Sequence, residues 1–282
     1  MTTTYGEDAK PRVGFFTDTS VCIGCKACEV ACKEWNLVPE DGLEWTGHSY
    51  DNTGELGANS WRHVAFIEQV KPLRTDGEAA TADGGPAPMR WLMESDVCKH
   101  CTHAGCLDAC PTGALFRTEF GTVVVQEDVC NGCGYCVPAC PFGVIDKRHL
   151  PVLGRKEDGR VWKCTLCYDR LKSGHEPACA KACPTDSIQF GELDELRERA
   201  DQRLAKLQVE GWNGPRLYGR DPDDGIGGFG AFFLLLDEPE VYGLPPDPIV
   251  PTKHLPRLWR STALAAAALL VGVAAAFVGG SE

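Results

Sequence analysis

Residues 130–141 of the chain are CNGCGYCVPACP, a run that contains four cysteines and ends in proline. The cysteines are separated by two, two and three residues: Cys130, Cys133, Cys136 and Cys140. With this spacing, one loop can present three thiolates to the corners of an inorganic cluster, with its backbone N–H groups turned towards the sulfur atoms. The fourth cysteine starts a helical turn that points elsewhere, and the proline behind it fixes φ and removes a donor. The run therefore indicates a metal-cluster loop.

Three more groups of four cysteines bring the total to all sixteen cysteines of the chain. Their spacings are two, two and three residues from Cys22, two, four and three from Cys98, and two, eleven and three from Cys164. Every group opens with C-x-x-C, and three of the four end in Cys-Pro. The Cys130 group is the complete C-x₂-C-x₂-C-x₃-C-P run through which bacterial two-cluster ferredoxins bind [4Fe–4S] clusters, and the other three groups are variants of it. The sequence therefore predicts four [4Fe–4S] clusters with the following iron ligands: Cys22, Cys25, Cys28, Cys32; Cys98, Cys101, Cys106, Cys110; Cys130, Cys133, Cys136, Cys140; Cys164, Cys167, Cys179, Cys183.

Two other uses of cysteine remain as alternatives. An even count also occurs in disulfide scaffolds, but these are usually short secreted chains, and residues 1–10 are polar with no apolar run typical of a signal peptide. C-x₂-C pairs also build zinc sites, which usually need two such pairs separated by a spacer. A structural zinc or disulfide protein without a redox role is therefore the hypothesis from a different class.

Composition and charge narrow the class of protein further. The 282 residues carry a formal net charge of −12 with no basic stripe, so nucleic-acid binding is not expected. A hydrophobic content of 43% allows a buried core. The glycines within 224–230 precede a predicted strand instead of a phosphate-binding helix. We therefore expect no catalytic residue and no small-molecule substrate, and we expect His100 and His103 to pack or hydrogen-bond.

Local patterns predict a few elements around the cysteine groups. Residues 61–70 alternate as a strand does, and 90–94 looks like the partner strand of a hairpin. The Gly- and Pro-rich stretch 75–88 is expected to be an exposed loop. A further strand is predicted at 120–126. Apolar residues at helical spacing predict an amphipathic helix over Leu193–Val209.

The C-terminal stretch differs from the rest of the chain. Residues 261–280 contain no charged side chain over twenty positions, which is long enough to cross a bilayer as a helix. An alanine-rich buried helix is the alternative. Trp259 is expected at the membrane interface, with Lys253, Arg257 and Arg260 on the same side.

Taken together, these features resemble a known family. The four motifs in this order, the strings CIGCKAC at 22–28, CKHCTHAGC at 98–106 and KCTLCYDR at 163–170, and one C-terminal helix are similar to the iron–sulfur (beta) subunit of membrane-bound formate dehydrogenase. The resemblance covers nearly the whole chain from Val13 onwards. The equivalent subunit of a hydrogenase or of another molybdopterin oxidoreductase is the alternative within this class.

The resemblance implies an α+β fold with two tandem ferredoxin-like 2[4Fe–4S] modules, an inserted β-hairpin region and one transmembrane helix. The corresponding segments are an N-terminal tail (1–12), an outer module with the insertion (13–97 and 141–192), an inner module (98–140), an amphipathic helix with a connecting segment (193–260) and the transmembrane helix (261–280). It also implies a non-catalytic subunit that passes electrons from a molybdenum or tungsten pterin subunit to a membrane cytochrome b or quinone-linked subunit.

In ferredoxins the fourth cysteine of each motif binds the other cluster of the pair. With the family's arrangement, this implies four crossed ligand sets: Cys22, Cys25, Cys28 with Cys183; Cys164, Cys167, Cys179 with Cys32; Cys98, Cys101, Cys106 with Cys140; Cys130, Cys133, Cys136 with Cys110. The outer pair is expected to face the catalytic subunit and the inner pair the membrane. The soluble part is expected on the outer (periplasmic) face, although the basic flank of the helix favours the cytoplasmic face.

Overall fold

The computed structural model of the chain describes residues 11–42, 45, 47, 50–70, 89–148 and 159–279. Strands and helices follow one another without a regular βα order, so the fold is α+β. The described residues form ten strands: β1 Val13–Asp18, β2 Arg62–Val70, β3 Met89–Val97, β4 Leu115–Arg117, β5 Val123–Val125, β6 Asp146–Lys147, β7 Val161–Trp162, β8 Ile188–Glu192, β9 Arg216–Tyr218 and β10 Ala231–Leu235. The α-helices in the same ranges are α1 Ala27–Asn36, α2 Gly105–Asp108, α3 Tyr168–Lys172, α4 Ala178–Lys181, α5 Leu193–Val209 and α6 Leu255–Gly279.

The largest sheet in the described part of the chain has four strands in the order β8-β1-β10-β9. Within it, β1 is antiparallel to β8 and parallel to β10. Phe16 of β1 is paired with Phe232 of β10, and their rings stack with centroids 5.3 Å apart. All residues of β10 are buried, which means that both faces of this strand are covered. The core of the sheet therefore joins the start of the chain to residues 231–235.

Gly14 allows β1 to approach its neighbours closely. A Cβ atom at this position would lie 1.9 Å from the carbonyl oxygen of Gly230, a distance that no side chain tolerates. Gly191, which is paired with Gly14 across β8, would place a Cβ 3.8 Å from its nearest neighbour, an ordinary contact. The sheet therefore requires glycine at position 14 but not at position 191.

The amphipathic helix predicted from apolar spacing is confirmed as α5, with the predicted bounds. It packs against β1 and β8. On the same helix, Arg203 Nε donates to Asp18 Oδ2 at 2.7 Å, at the end of β1. The residues that α5 buries are Leu193, Leu196, Ala200 and Leu207.

The predicted hairpin is also confirmed. β2 and β3 pair antiparallel over their whole length, with Arg62 opposite Val97. The loop predicted at 75–88 lies outside the described residues. The hairpin contributes Val64, Leu92 and Val97 to the buried core, and it places Arg62 beside the cysteine loops.

The strand predicted at 120–126 is too long. β5 covers only Val123–Val125 and pairs with β4. Gly121 has a φ of 76°, and its N–H donates to the carbonyl of Thr118 at 2.9 Å. Phe120 and Gly121 therefore belong to the tight turn between β4 and β5, because glycine adopts the left-handed conformation that closes it.

Helix α6 begins at Leu255, ahead of the start predicted at 261. Pro251–Phe277 is the one span among the described residues that is long and apolar enough to cross a membrane. At about 1.5 Å per residue it reaches roughly 40 Å, and a hydrocarbon core is roughly 30 Å thick. The described side chains of α6 are all exposed, so the alternative of a buried alanine-rich helix is wrong. The helix is consistent with a membrane anchor.

Candidate metal centres

The four cysteine loops share one backbone feature. In each loop the residue two positions after the first cysteine has a positive φ: Gly24 (64°), His100 (44°), Gly132 (72°) and Leu166 (56°). Two of the four are not glycine, and a non-glycine residue held in this region is strained. The repeated left-handed residue curls each loop so that backbone N–H groups face the cysteines. Accordingly, Leu166 N–H donates to Cys164 Sγ at 3.3 Å.

The segments after the Cys-Pro pairs also repeat. The third residue after the last cysteine has a positive φ in three groups: Gly113 (68°), Gly143 (65°) and Asp186 (51°). Each of these turns leads into a short strand, namely β4, β6 and β8. The first group differs, since Cys32 lies within α1 and no proline follows it. The repeat in sequence is thus a repeat in local structure.

At the first loop, Cys22 lies close to a cysteine from the far end of the cysteine array. Burial raises the pKa of Cys22, a hydrogen bond from the backbone of Gly24 lowers it, and the nearby Cys183 and Cys25 raise it further. Cys183 is therefore the fourth cysteine next to the loop that contains Cys22, Cys25 and Cys28.

The second set is formed in the same crossed way. Burial raises the pKa of Cys32 well above its usual range, and the neighbouring thiols of Cys164, Cys179 and Cys167 raise it further. Asn36, one helical turn after Cys32, places its Nδ2 atom 3.7 Å from Cys32 Sγ and 3.8 Å from the sulfur of Cys167. Helix α1 also packs on α4, which contains Cys179. Cys32 therefore lies among the cysteines of the fourth motif.

The last cysteines of the two middle motifs each lie near the loop of the other motif. One cavity is bordered by four cysteines: Cys98, Cys101, Cys106 and Cys140. Consistent with this, burial raises the pKa of Cys101 and its three companions raise it further. Around the other middle loop, burial raises the pKa of Cys136 to about 11, and three more cysteines also act on it: Cys110, Cys130 and Cys133. These four groupings are called here the Cys22, Cys164, Cys98 and Cys130 sets, after the first cysteine of each loop.

Cysteines of different sets lie near enough to act on one another electrostatically, and this places the sets in a row. Cys28 neighbours Cys179, which joins the Cys22 set to the Cys164 set. Cys164 in turn neighbours Cys98. The last link joins the Cys98 set to the Cys130 set, since Cys136 is a neighbour of Cys106. The sets therefore follow one another in this order: the Cys22 set, the Cys164 set, the Cys98 set and the Cys130 set.

Each end set of this row contains an exposed cysteine, whereas the cysteines of the two middle sets are all buried or half-buried. Cys25 in the first set and Cys133 in the last are exposed. In the middle sets, burial raises the pKa of Cys164 and that of Cys106 to about 12, because a thiolate loses hydration inside the protein. Ligation by iron requires these thiols to lose their protons.

The donors around the cysteines fit a large sulfur-rich cofactor. Among the described residues, no three histidine, cysteine or carboxylate side chains are close enough together to hold a single metal ion. A cubane cluster separates its thiolates by its own width and does not need them that close. The buried atoms Arg62 Nε and His100 Nε2 have no hydrogen-bond partner in the described protein. Arg62 Nε carries a hydrogen at all times and can donate it. His100 Nε2 can donate as well, because Nδ1 of the same ring accepts from the N–H of Val123 at 3.1 Å.

The sequence predicts that His100 and His103 pack or hydrogen-bond. His100 is buried and makes the bond to Val123 just described, which confirms the expectation for that residue. His103 packs near Gly227, where a Cβ would meet its ring at 2.7 Å.

Sequence reasoning misses the buried cations beside the cysteines, among them Arg62 and Lys163. Arg62 is 2% exposed, and its Nη2 donates to Cys179 Sγ at 3.3 Å. Lys163 is 1% exposed and donates to the carbonyl of Cys164 at 2.9 Å and to that of Val123. The only sequence signal for Lys163 is its place directly before a motif cysteine, and Arg62 resembles a solvent-facing residue at the start of a strand.

Comparisons with known proteins agree with this geometry. Two family models described as a 4Fe-4S dicluster domain match residues 21–114 and 89–193, so the chain binds [4Fe–4S] clusters through two tandem domains of this kind.

Relatives match over nearly the whole chain. It is 41% identical, over 96% of its length, to the nitrate-inducible formate dehydrogenase iron–sulfur subunit of Escherichia coli (strain K12), and the match covers 84% of that protein. With the formate dehydrogenase iron–sulfur subunit of Haemophilus influenzae it is 40% identical over 94% of the chain and 78% of the relative. With the formate dehydrogenase-O iron–sulfur subunit of Escherichia coli (strain K12) it is 38% identical over 96% of the chain and 82% of the relative.

Proposed function

The chain belongs to the family of formate dehydrogenase iron–sulfur subunits, and from this premise we propose that it relays electrons from a molybdenum or tungsten pterin subunit to a membrane cytochrome b or quinone-reducing subunit. The chain is a non-catalytic electron-transfer subunit of an enzyme complex. The observation that carries the proposal is the single row of cysteine sets, which has an exposed cysteine in each end set and none in the two middle sets. A row of this form suits transfer between two partners and not storage at one site.

The proposed cofactor content is four [4Fe–4S] clusters, one for each cysteine set. When bound, such a cluster supplies a centre that accepts and releases one electron. We propose the crossed ligand sets that the ferredoxin pattern implies: Cys22, Cys25, Cys28, Cys183; Cys164, Cys167, Cys179, Cys32; Cys98, Cys101, Cys106, Cys140; Cys130, Cys133, Cys136, Cys110. The neighbours of Cys22, Cys32, Cys101 and Cys136 support this assignment.

The protein's own residues contribute position, burial and hydrogen bonds. The left-handed residue in each loop turns backbone N–H groups towards the thiolates, which stabilises their ionised form. Side-chain donors add to this, as Asn36 does between Cys32 and Cys167. Burial of the middle sets keeps water from the centres and strengthens every one of these bonds.

The anchor supports an orientation for the row. The turn before α6 packs on α2, which lies in the second cysteine motif. Thr252 donates to Asp108 of α2, and a Cβ on Gly105 would lie 3.5 Å from Val250. The anchor therefore leaves the domain beside the middle motifs. This supports the proposal that the Cys130 set faces the membrane and the Cys22 set faces the catalytic subunit.

The proposed location follows from the anchor and the family. Helix α6 holds the chain at the cell membrane, and the soluble part lies on the outer, periplasmic face. The cytoplasmic face is the alternative, because basic residues flank the helix. Protection of the soluble part from protease in right-side-out vesicles would favour the alternative.

The test of function compares the chain alone with the chain in its complex. The complex purified anaerobically should lose visible absorbance on addition of formate. The isolated chain should lose it with dithionite but not with formate, because the proposal assigns the pterin site to a separate subunit. Bleaching of the complex by hydrogen and not by formate would point to the hydrogenase alternative. A colourless protein that retains zinc would contradict the proposal altogether.

A further inference from the structure

Arg62 lies at the junction between the Cys22 and Cys164 sets. It is the first residue of β2, and its Nη2 atom donates to Cys179 Sγ of the Cys164 set at 3.3 Å. Its Nη1 atom donates to the backbone oxygen of Ser95 at 3.0 Å and to Ser95 Oγ at 3.1 Å. The guanidinium carbon also lies 4.9 Å from the centre of the Phe15 ring. Hairpin, sheet and fourth motif thus fix this side chain together.

Ser95 connects Arg62 to the other set. The oxygen of Ser95 accepts from Arg62, so its own hydrogen remains to donate, and Cys28 Sγ lies 3.2 Å away. Arg62 therefore contacts one set directly and the other through a single hydroxyl. The charges of Cys28, Cys164 and Cys32 also act on the guanidinium.

The charge of Arg62 has no counter-ion of the usual kind. No carboxylate forms an ion pair with it in the part of the chain that the structure describes. Glu94, a buried carboxyl nearby, has no hydrogen-bond partner among the described residues for either oxygen. Burial and the neighbouring Asp96 raise its pKa well above the usual range, against the opposite effect of Lys99 and Arg62. A buried guanidinium without an opposite charge is costly. The thiolates of the two sets are the negative groups that surround it.

We propose that Arg62 is a positioning residue whose fixed positive charge is shared by the two clusters of the Cys22 and Cys164 sets and raises the reduction potential of both. This inference rests on the proposed function, since it requires clusters at both sets. Reduction adds negative charge to a cluster, and a cation beside it stabilises the reduced form. Net charge and hydrogen bonds to the sulfurs are among the factors that set these potentials.

The shape of the guanidinium explains why arginine suits this place. Its planar fork directs separate N–H groups at Cys179 and at Ser95 at the same time. The charge also persists at every working pH, because arginine does not lose its proton in proteins. A lysine at the same place would keep the charge but could not hold both bonds in one plane.

The experiment uses the full-length chain in its membrane complex, with each cluster's midpoint potential followed by EPR in a redox titration. For Arg62→Met we expect the clusters of the Cys22 and Cys164 sets to be at least tenfold harder to reduce, which is about 59 mV for one electron. The other two clusters should stay within the error of the titration. In Arg62→Lys, the midpoint potentials of the Cys22-set and Cys164-set clusters should lie closer to the wild-type values than to those of Arg62→Met.

Arg90 provides the matched control. It is a buried arginine of the same hairpin, but its partners are Gln69 and Asp237 instead of a cysteine. Arg90→Met should lower stability without moving the potentials of the Cys22 and Cys164 sets. Unchanged potentials in Arg62→Met with full iron content, or an equal shift in Arg90→Met, would overturn the proposal.

A second variant decides the matter if Arg62→Met does not load its clusters. Ser95→Ala removes only the hydroxyl between Arg62 and Cys28. It should lower the potential of the Cys22-set cluster alone, and an unchanged potential would count against the proposal. Failure of the proposed function is distinguishable, because wild-type protein would then show no dithionite-bleachable absorbance. If formate reduces the clusters normally but their midpoint potentials are the same in wild type and in Arg62→Met, only the present inference is contradicted.

Discussion

Asn36 Nδ2 lies 3.8 Å from Cys167 Sγ, although 131 positions separate the two residues in the chain. The same nitrogen is 3.7 Å from Cys32 Sγ. One amide therefore connects a cysteine of the first motif with a cysteine of the fourth. This relationship follows from the packing of α1 on α4, and it leads directly to a test of the crossed ligand sets.

Replacing Cys32 should disturb the cluster of the Cys164 set and not that of its own loop. In a Cys32→Ser variant we expect altered EPR signals or lost iron at the cluster bound by Cys164, Cys167 and Cys179. Cys28→Ser serves as the matched control, since it should affect the Cys22-set cluster. Finding Cys32 on the same cluster as Cys22 would refute the crossed assignment.

The cluster count can be measured chemically. Four groups of four thiolates predict about sixteen iron and about sixteen inorganic sulfide per chain. Iron and acid-labile sulfide assays on anaerobically purified protein check this number. A reproducible value near twelve in fully loaded protein would mean that one cysteine group holds no cluster.

Lys163 should act on the next junction of the row. Its ammonium group is buried among Cys98, Cys106 and Cys164, and although burial alone would lower its pKa, these thiols raise it. Lys163→Met should lower the potentials of the Cys98-set and Cys164-set clusters and leave the Cys130-set cluster unmoved. It should also cost about 1–3 kcal/mol of stability, because two buried carbonyls lose their donor. Lys172→Met, at an exposed position of α3, is the control and should change neither the cluster potentials nor the stability of the protein. Equal effects of the two substitutions in the redox titration would contradict this role.

Removing the chain after Arg260 should separate anchoring from cluster binding. The shortened chain loses most of α6, whose side chains make no buried contact with the described domain. We expect it in the soluble fraction, with iron content and EPR signals unchanged. Cell fractionation and metal analysis measure both. A truncated chain that still sediments with membranes, in cells without its partner subunits, would argue against α6 as the anchor.

The glycine pair in the sheet gives a prediction about stability. Gly14→Ala places a methyl group against the carbonyl of Gly230 and should cost about 2–3 kcal/mol or more. Gly191→Ala, at the position paired with Gly14, should be nearly neutral. Thermal unfolding at one fixed scan rate compares the two. A similar apparent Tm for both variants would show that β1 can move away from Gly230.

The cysteine positions, α5 and the β2–β3 hairpin can be predicted because spacing and periodicity are local properties of the sequence. The pairing of β1 with β10 cannot, since nothing near Phe16 in the chain indicates Phe232 as its partner. The start of β5 is predicted too early, because Phe120 is an apolar residue close to the valines of β5 and the sequence pattern extends the strand to include it. Arg62 gives no local signal at all. Its role depends on Cys179 and Ser95, which only the folded chain brings to it.

The position of β1 in the sheet has a consequence for how the protein is made. Its two partners, β8 and β10, leave the ribosome long after β1 itself. During most of translation, an apolar strand and a cysteine-rich loop are therefore exposed without their partners, which favours aggregation. We expect a nascent chain that depends on chaperones and receives its iron only after residue 235 has been synthesised. Since α6 follows β10, the soluble domain can complete its fold before the anchor engages a membrane.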